Sequence, residues 1–79
     1  MKLLVRNLSR STTEQEIRKL FSDFGTVKEC TLVLDQETGQ SKGFAFVEMP
    51  DAAEAKTAIN ALNMTSVAKS KIRVKAAQQ

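Results

Sequence analysis

The side chains best suited to chemistry in this 79-residue chain stand together in Lys42-Gly43-Phe44-Ala45-Phe46-Val47-Glu48-Met49. Side chains alternate across a strand, so Lys42, Phe44, Phe46 and Glu48 share one face and Gly43, Ala45, Val47 and Met49 the other. One face thus carries paired aromatic rings beside an ammonium. The other is small enough at Gly43 and Ala45 for helices to pack closely. Aromatic rings flanked by cations suit unpaired nucleobases, because the rings stack while the cations meet phosphates. Further cations are at hand: the run from Thr65 to Gln79 holds Lys69, Lys71, Arg73 and Lys75 and no acid. A solvated charged face would explain the lysines alone. It would not explain phenylalanines displayed beside them, since exposed apolar patches mark binding surfaces.

Other chemistries are excluded by what is missing. There is no His, and Cys30 is the only Cys, so neither a zinc-type ligand cluster nor an internal disulfide can form. No metal or cofactor is expected. The formal charge of +3 is compatible with a nucleic-acid partner. At 42% hydrophobic and 27% charged residues, the composition is that of a folded domain and not of a disordered segment. No apolar run approaches the ~20 residues that span a bilayer, so no membrane partner is expected. The start, Met1-Lys2-Leu3-Leu4-Val5-Arg6, is too short for a signal-peptide core. Cys30, close to Leu32 and Val33, reads as a buried thiol in a reducing compartment, which makes a cytoplasmic location the expectation.

The elements that must position these residues follow from periodicity. Lys2 to Arg6 reads as a strand, closed by polar residues 7–11. Thr13 and Glu16 form a capping box, and Ile17, Leu20, Phe21 and Phe24 then fall on one helical stripe that Gly25 ends. Val27 to Leu34 is a second strand, residues 35–41 a hairpin loop, and Lys42 to Met49 a third strand stopped by Pro50. Asp51, with Glu54 three residues on, starts a helix whose apolar stripe is Ala55, Ala58, Ile59 and Leu62. Residues 63–70 read as a polar turn and Lys71 to Lys75 as the fourth strand. The order is βαββαβ. Right-handed crossovers make it the ferredoxin-like split-βαβ architecture, an α+β fold with a four-stranded antiparallel sheet and two helices on one face. Residues 1–79 are expected to form a single domain. Its first and third strands lie side by side in the centre, and the second face of the sheet is left uncovered. On that open face the first strand contributes Leu4 and Arg6, and the fourth Lys71, Arg73 and Lys75. Leu3, Val5, Ile72 and Val74 point inward.

The octamer at 42–49 resembles the ribonucleoprotein octamer of RNA-recognition motifs, K/R-G-F/Y-G/A-F-V-x-F/Y, departing only at inward-facing Met49. Leu3-Leu4-Val5-Arg6-Asn7-Leu8 resembles the family's hexamer. Thr13-Glu14 through Phe21, Phe24-Gly25 and Thr38-Gly39-Gln40-Ser41-Lys42-Gly43 are also similar to its consensus. The likeness runs over nearly the whole chain, and Met1 before the first strand suits a small stand-alone bacterial protein with one motif. It implies an RNA-binding protein that takes single-stranded RNA, or single-stranded DNA, on the open sheet face. Phe44 and Phe46 would stack on bases, while Lys42, Arg6 and Arg73 would meet phosphates. Leu4 stands where the family usually has a third aromatic and offers an apolar contact instead. Lys71, Lys75, Lys2 and Thr31 are secondary candidates, Asn7 would either hold a turn or touch RNA, and the loop at Thr38-Gly39 is a candidate clamp.

Other functions occur on this architecture. An acylphosphatase would need a G-x-V-Q-G-V cradle, which Asn7-Leu8-Ser9-Arg10-Ser11 is not. A metal carrier would need Cys-x-x-Cys, and Gly39-Gln40-Ser41-Lys42-Gly43 lacks the spacing of a nucleotide-binding loop. The chain is therefore not expected to be an enzyme. The stronger rival is a protein-interaction module, since relatives that lost sheet aromatics bind protein partners. Leu4 leans towards it, and the intact Lys-Gly-Phe-Ala-Phe-Val leans harder against it. A monomer is expected.

Overall fold

The structure, a computed structural model, describes residues 1–77. Its elements are β1 (Lys2–Arg6), α1 (Glu14–Ser22), β2 (Glu29–Leu34), β3 (Ser41–Glu48), α2 (Ala52–Leu62), β4 (Ser66–Val67), β5 (Ser70–Lys71) and β6 (Arg73–Ala76). Gln78 and Gln79, which close the acid-free run, lie outside the described residues.

Both helices start at the caps that the sequence offers. The Glu16 backbone N–H donates to Thr13 Oγ1, and the Thr13 N–H donates back to the Glu16 carboxylate. Two otherwise orphaned donors are thereby satisfied. Asp51 Oδ1 accepts from the backbone of Ala53 and Glu54. The Glu54 carboxylate does not complete a second box. It accepts from the Thr26 N–H at 3.1 Å, tying the first turn of α2 to the loop after α1. That loop explains Gly25 differently from the sequence reading. Helix α1 stops at Ser22 with Asp23 as its cap, and Gly25 sits at φ 159°, near-extended and not the left-handed conformation of a helix stop. Its missing side chain matters for space: a Cβ there would stand 2.6 Å from Glu54 Cβ.

The sheet order is β2-β3-β1-β6, antiparallel throughout, with β1 and β3 in the centre. Inward parity holds along these central strands. Leu3, Val5, Ala45, Val47 and Met49 are fully buried, in one cluster with Ile17 and Phe21 of α1 and Ala55, Ala58 and Leu62 of α2. Leu20, Phe24 and Ile59, expected on the same stripes, only flank this core. Leu8, from the segment read as polar, is buried in it. Cys30 is buried too, its Sγ–H donating to the Glu14 carbonyl at 3.7 Å. Burial, aided by the nearby Glu14 charge, pushes its thiol pKa up, as befits an unreactive packing group.

The last third departs from expectation. Residues 63–70 are not a simple turn but contain a small ribbon, in which Ser66 pairs with Lys71 and Val67 with Ser70. Ala68 and Lys69 take φ of 50° and 68°, the left-handed pair that closes a two-residue hairpin. Ile72 then bonds back to Thr65, and Asn63 Oδ1 accepts from the Val74 N–H. The fourth strand of the main sheet therefore begins at Arg73. Lys71 belongs to the ribbon. Smaller shifts occur elsewhere: β2 begins at Glu29, two residues later than read, and Ser41 is the buried first residue of β3 instead of part of the loop.

Candidate nucleic-acid interface

Register brings the candidate residues together in rows. Leu4 lies opposite Phe46 across β1 and β3. Thr31 lies opposite Phe46 from β2, and Lys75 opposite Leu4 from β6. One row across the open face is thus Thr31, Phe46, Leu4 and Lys75. On one side of it Arg6 faces Arg73, and on the other Glu48 faces both Lys2 and Glu29. Like charges set directly opposite cost stability, so the Arg6–Arg73 pair marks a place where an anion would relieve repulsion. Lys71, off the sheet, does not join these rows.

The aromatic residues are held without being hidden. Phe44, Phe46 and Leu4 are half-buried, while Lys42, Arg6, Arg73, Lys75, Lys2 and Thr31 are exposed. The two rings meet edge to face, centroids 6.2 Å apart and planes at 89°. This is a favourable arrangement of their quadrupoles, and it fixes each ring for a planar ligand. Lys2 Nζ rests 5.2 Å from the centroid of Phe46, a cation–π contact over the ring.

The strand bearing these rings is bent at its start. Leu32 pairs with Ala45 but Leu34 with Ser41, so the β2–β3 ladder slips across Lys42, Gly43 and Phe44. Gly43 takes φ 86°, which a side chain would strain, and its carbonyl accepts from the Leu8 N–H at 2.9 Å. That bond draws the segment after β1 towards the bulge. Arg10 there lines two depressions at this end of the sheet that it shares with Lys42 and Phe44. Arg6 borders one and Asp35 the other. Arg10 was not singled out in the sequence. It lies on no strand or helix and has no periodic partner, so only the long-range Leu8–Gly43 bond reveals its place.

Asn7 and the loop at Thr38-Gly39, both left open by the sequence, have structural work. Asn7, at φ 60°, donates from Nδ2 to the Lys71 carbonyl at 2.7 Å, pinning the end of β1 to β5. Asp35 organises the β2–β3 loop, accepting from the Glu37 and Thr38 backbone. Those two bonds, with smaller help from Lys42 and Arg10, hold its carboxyl below the usual range. Gly39 donates to the Asp35 carbonyl, so the loop at Thr38-Gly39 is braced from within.

The fold and face define a class: a ferredoxin-like α+β sheet with one surface packed by helices and the other open, aromatic and edged with cations. A family model for the RNA recognition motif matches residues 3–73, and the chain belongs to that family. It is 46% identical over 63 residues to RbpA of Nostoc sp., a match covering 80% of this chain and 62% of RbpA. The chain thus spans about three fifths of the length of the Nostoc relatives it matches. The crystal structure of RNA binding protein PG1 superposes with a TM-score of 0.96 at 35% identity, covering 100% of this chain and 95% of that one. The Sxl-lethal protein/RNA complex gives a TM-score of 0.94 at 31% identity, covering 99% of this chain and 47% of its counterpart.

Proposed function

We propose that this protein binds single-stranded RNA across the open face of β2, β3, β1 and β6. The observation that carries the reading is the half-buried, edge-to-face Phe44–Phe46 pair in the centre of a sheet whose border holds Arg6, Lys42, Arg73 and Lys75. Phe44 and Phe46 stack on bases, Leu4 extends the platform, and Arg6, Arg10, Lys42 and Arg73 meet phosphates. Lys75, Lys2 and Thr31 border the bound strand, and Lys71 contributes from the β4–β5 ribbon at its margin. Membership of the family and the RNA-bound Sxl-lethal neighbour support this reading. The same chemistry admits single-stranded DNA, because stacking is indifferent to the sugar. A binding module and not an enzyme, acting as one domain over residues 1–79 and as a monomer, is the form this reading takes. The buried thiol of Cys30 supports a reducing, cytoplasmic setting.

The test is a titration of labelled single-stranded RNA against the wild type and the Phe44→Ala/Phe46→Ala double variant, over a series of salt concentrations. Wild-type affinity should fall on a log–log plot with a slope near −0.7 per phosphate contacted, and the double variant should bind more weakly at every salt concentration. No binding, with capture of a protein partner in its place, would favour the protein-interaction reading.

A further inference from the structure

The open face is not uniformly basic. At the end away from Arg6, Arg10 and Lys42, a shallow depression is lined by Lys2, Glu29, Thr31, Phe46 and Glu48. Glu48 occupies its middle, directly across one ladder from Lys2 and across the other from Glu29. Carboxylates repel phosphates, so a surface built only to hold an RNA backbone would not place a pair of them beside a stacking ring. What a carboxylate accepts is an N–H or O–H donor, and the paired N–H donors of RNA lie on the edges of its bases.

We propose that this depression is a base-selecting subsite and that it favours guanine stacked on Phe46. The Watson–Crick edge of guanine sets N1–H and N2–H side by side, a parallel pair that one carboxylate accepts in bidentate fashion. The adjoining O6 accepts from an ammonium. Glu48 and Lys2, neighbours across the β1–β3 ladder, supply that acceptor and that donor. Glu29 adds a second acceptor, and the Thr31 hydroxyl serves as either. The incoming base takes the position over the Phe46 ring that Lys2 Nζ holds in its absence, 5.2 Å from the centroid. The flexible four-carbon stem of Lys2 lets the ammonium move from the face of the ring to the edge of the base. Uracil fits worst, because its one N3–H is flanked by O2 and O4, which the carboxylates repel. Adenine and cytosine each present one exocyclic amine and fall between. The same repulsion fixes direction: phosphates are driven towards Arg6, Arg10, Lys42 and Arg73, which leaves a base at the Glu48 end.

This inference rests on the RNA binding proposed above, and the test separates the two. Labelled RNA nonamers of three AAG, AAC, AAU or AAA repeats are titrated at one salt concentration against wild type, Glu48→Gln and Lys2→Met. Thermal melts confirm that each variant is folded. The AAG nonamer should bind wild type about 5- to 100-fold more tightly than the AAU nonamer, the discrimination typical of one bidentate base contact. Glu48→Gln should bring that ratio close to unity, mainly by weakening AAG, and Lys2→Met should reduce it. Should Glu48→Gln fail to fold, Glu29→Gln, on the exposed rim, must narrow the ratio instead. Equal wild-type affinity for all four RNAs, or a ratio unmoved by these variants, overturns the subsite and leaves RNA binding standing. Uniform tightening of all four by Glu48→Gln also overturns it, since the carboxylate would then act only by repelling phosphates. Failure of every nonamer to bind wild type overturns RNA binding itself.

Discussion

Replacing Leu4 with Phe should tighten RNA binding, and the structure sets the size of the gain. Leu4 lies opposite Phe46 on β3 and opposite Lys75 on β6, half-buried on the open face. An aromatic side chain there would stand in line with the existing rings and offer one more stack, worth ~1–3 kcal/mol. Leucine already gives part of this, because covering a few tens of Å² of its apolar surface at ~25 cal/mol per Å² yields ~0.5–1 kcal/mol. The net gain should be ~0.5–2 kcal/mol, or about 2- to 30-fold in Kd. It should appear chiefly in a slower off-rate, as most affinity changes within one interface do. No charge changes, so plots of log Kd against log salt for the two proteins should run parallel. The fold should not suffer, since a cross-strand aromatic pair with Phe46 adds ~0.2–1 kcal/mol. Fluorescence anisotropy at two salt concentrations, stopped-flow dissociation and a thermal melt measure all of this. Equal affinities would show that the RNA path avoids β1. A weaker complex would show a pocket shaped to leucine, and either result refutes the platform argument.

Four further outcomes are expected. Phe44→Ala and Phe46→Ala should each weaken RNA binding by ~1–3 kcal/mol while keeping a cooperative melt, because both rings are half-exposed and lie on the face opposite the core. Arg10→Ala should weaken binding to all sequences alike and make the salt slope shallower by ~0.7, the signature of one lost phosphate contact; an unchanged slope would remove Arg10 from the interface. Phe21→Ala, at a side chain that is 0% exposed, should lower the melting midpoint by ~12–40 °C in circular dichroism, since such a truncation costs ~3–5 kcal/mol and each kcal/mol is worth ~4–8 °C in a domain of this size; a melt close to wild type would place Phe21 outside the core. Asp35 has a carboxyl held below its usual 3.8 by the Glu37 and Thr38 amides, so its support of the loop should be complete at neutral pH and lost as pH falls through that lowered value. The Glu37 and Thr38 amide shifts in an NMR titration would report it, and a midpoint above 3.8 would contradict the capping role.

The main sheet and both helices were legible because each is written in short-range terms. The Thr13–Glu16 box, the Asp51 cap and strict alternation along residues 42–49 depend on neighbours within a few positions, and parity alone placed Phe44 and Phe46 on the open face. What was missed depends on distant partners. Arg10 lines depressions together with Lys42 and Phe44, far away in sequence, beside the long-range bond from Leu8 to Gly43. Glu54 serves Thr26, across the fold, in preference to its own helix start. The β4–β5 ribbon escaped notice because Ala68 and Lys69 adopt left-handed backbone without the Gly or Asn that signals such a turn. Lys71 was assigned to the sheet from alternation, which continues unbroken through Ile72 although the pairing changes there. The likeness to the RNA-recognition motif was also readable, because it rests on residue types at fixed spacing.

The position of β1 has a consequence for the newborn chain. Of the strands in the main sheet this one is synthesised first, yet in the finished sheet it lies between β3 and β6, the one synthesised last. On a ribosome adding ~5–20 residues per second, it waits several seconds for its second neighbour. During that interval one edge of β1 stays unpaired, and Leu3 and Val5 lack the covering side chains of Ile72 and Val74. Such a half-built sheet is open to strands of other chains, so the interval between the emergence of β3 and that of β6 is when this domain most needs protection from aggregation.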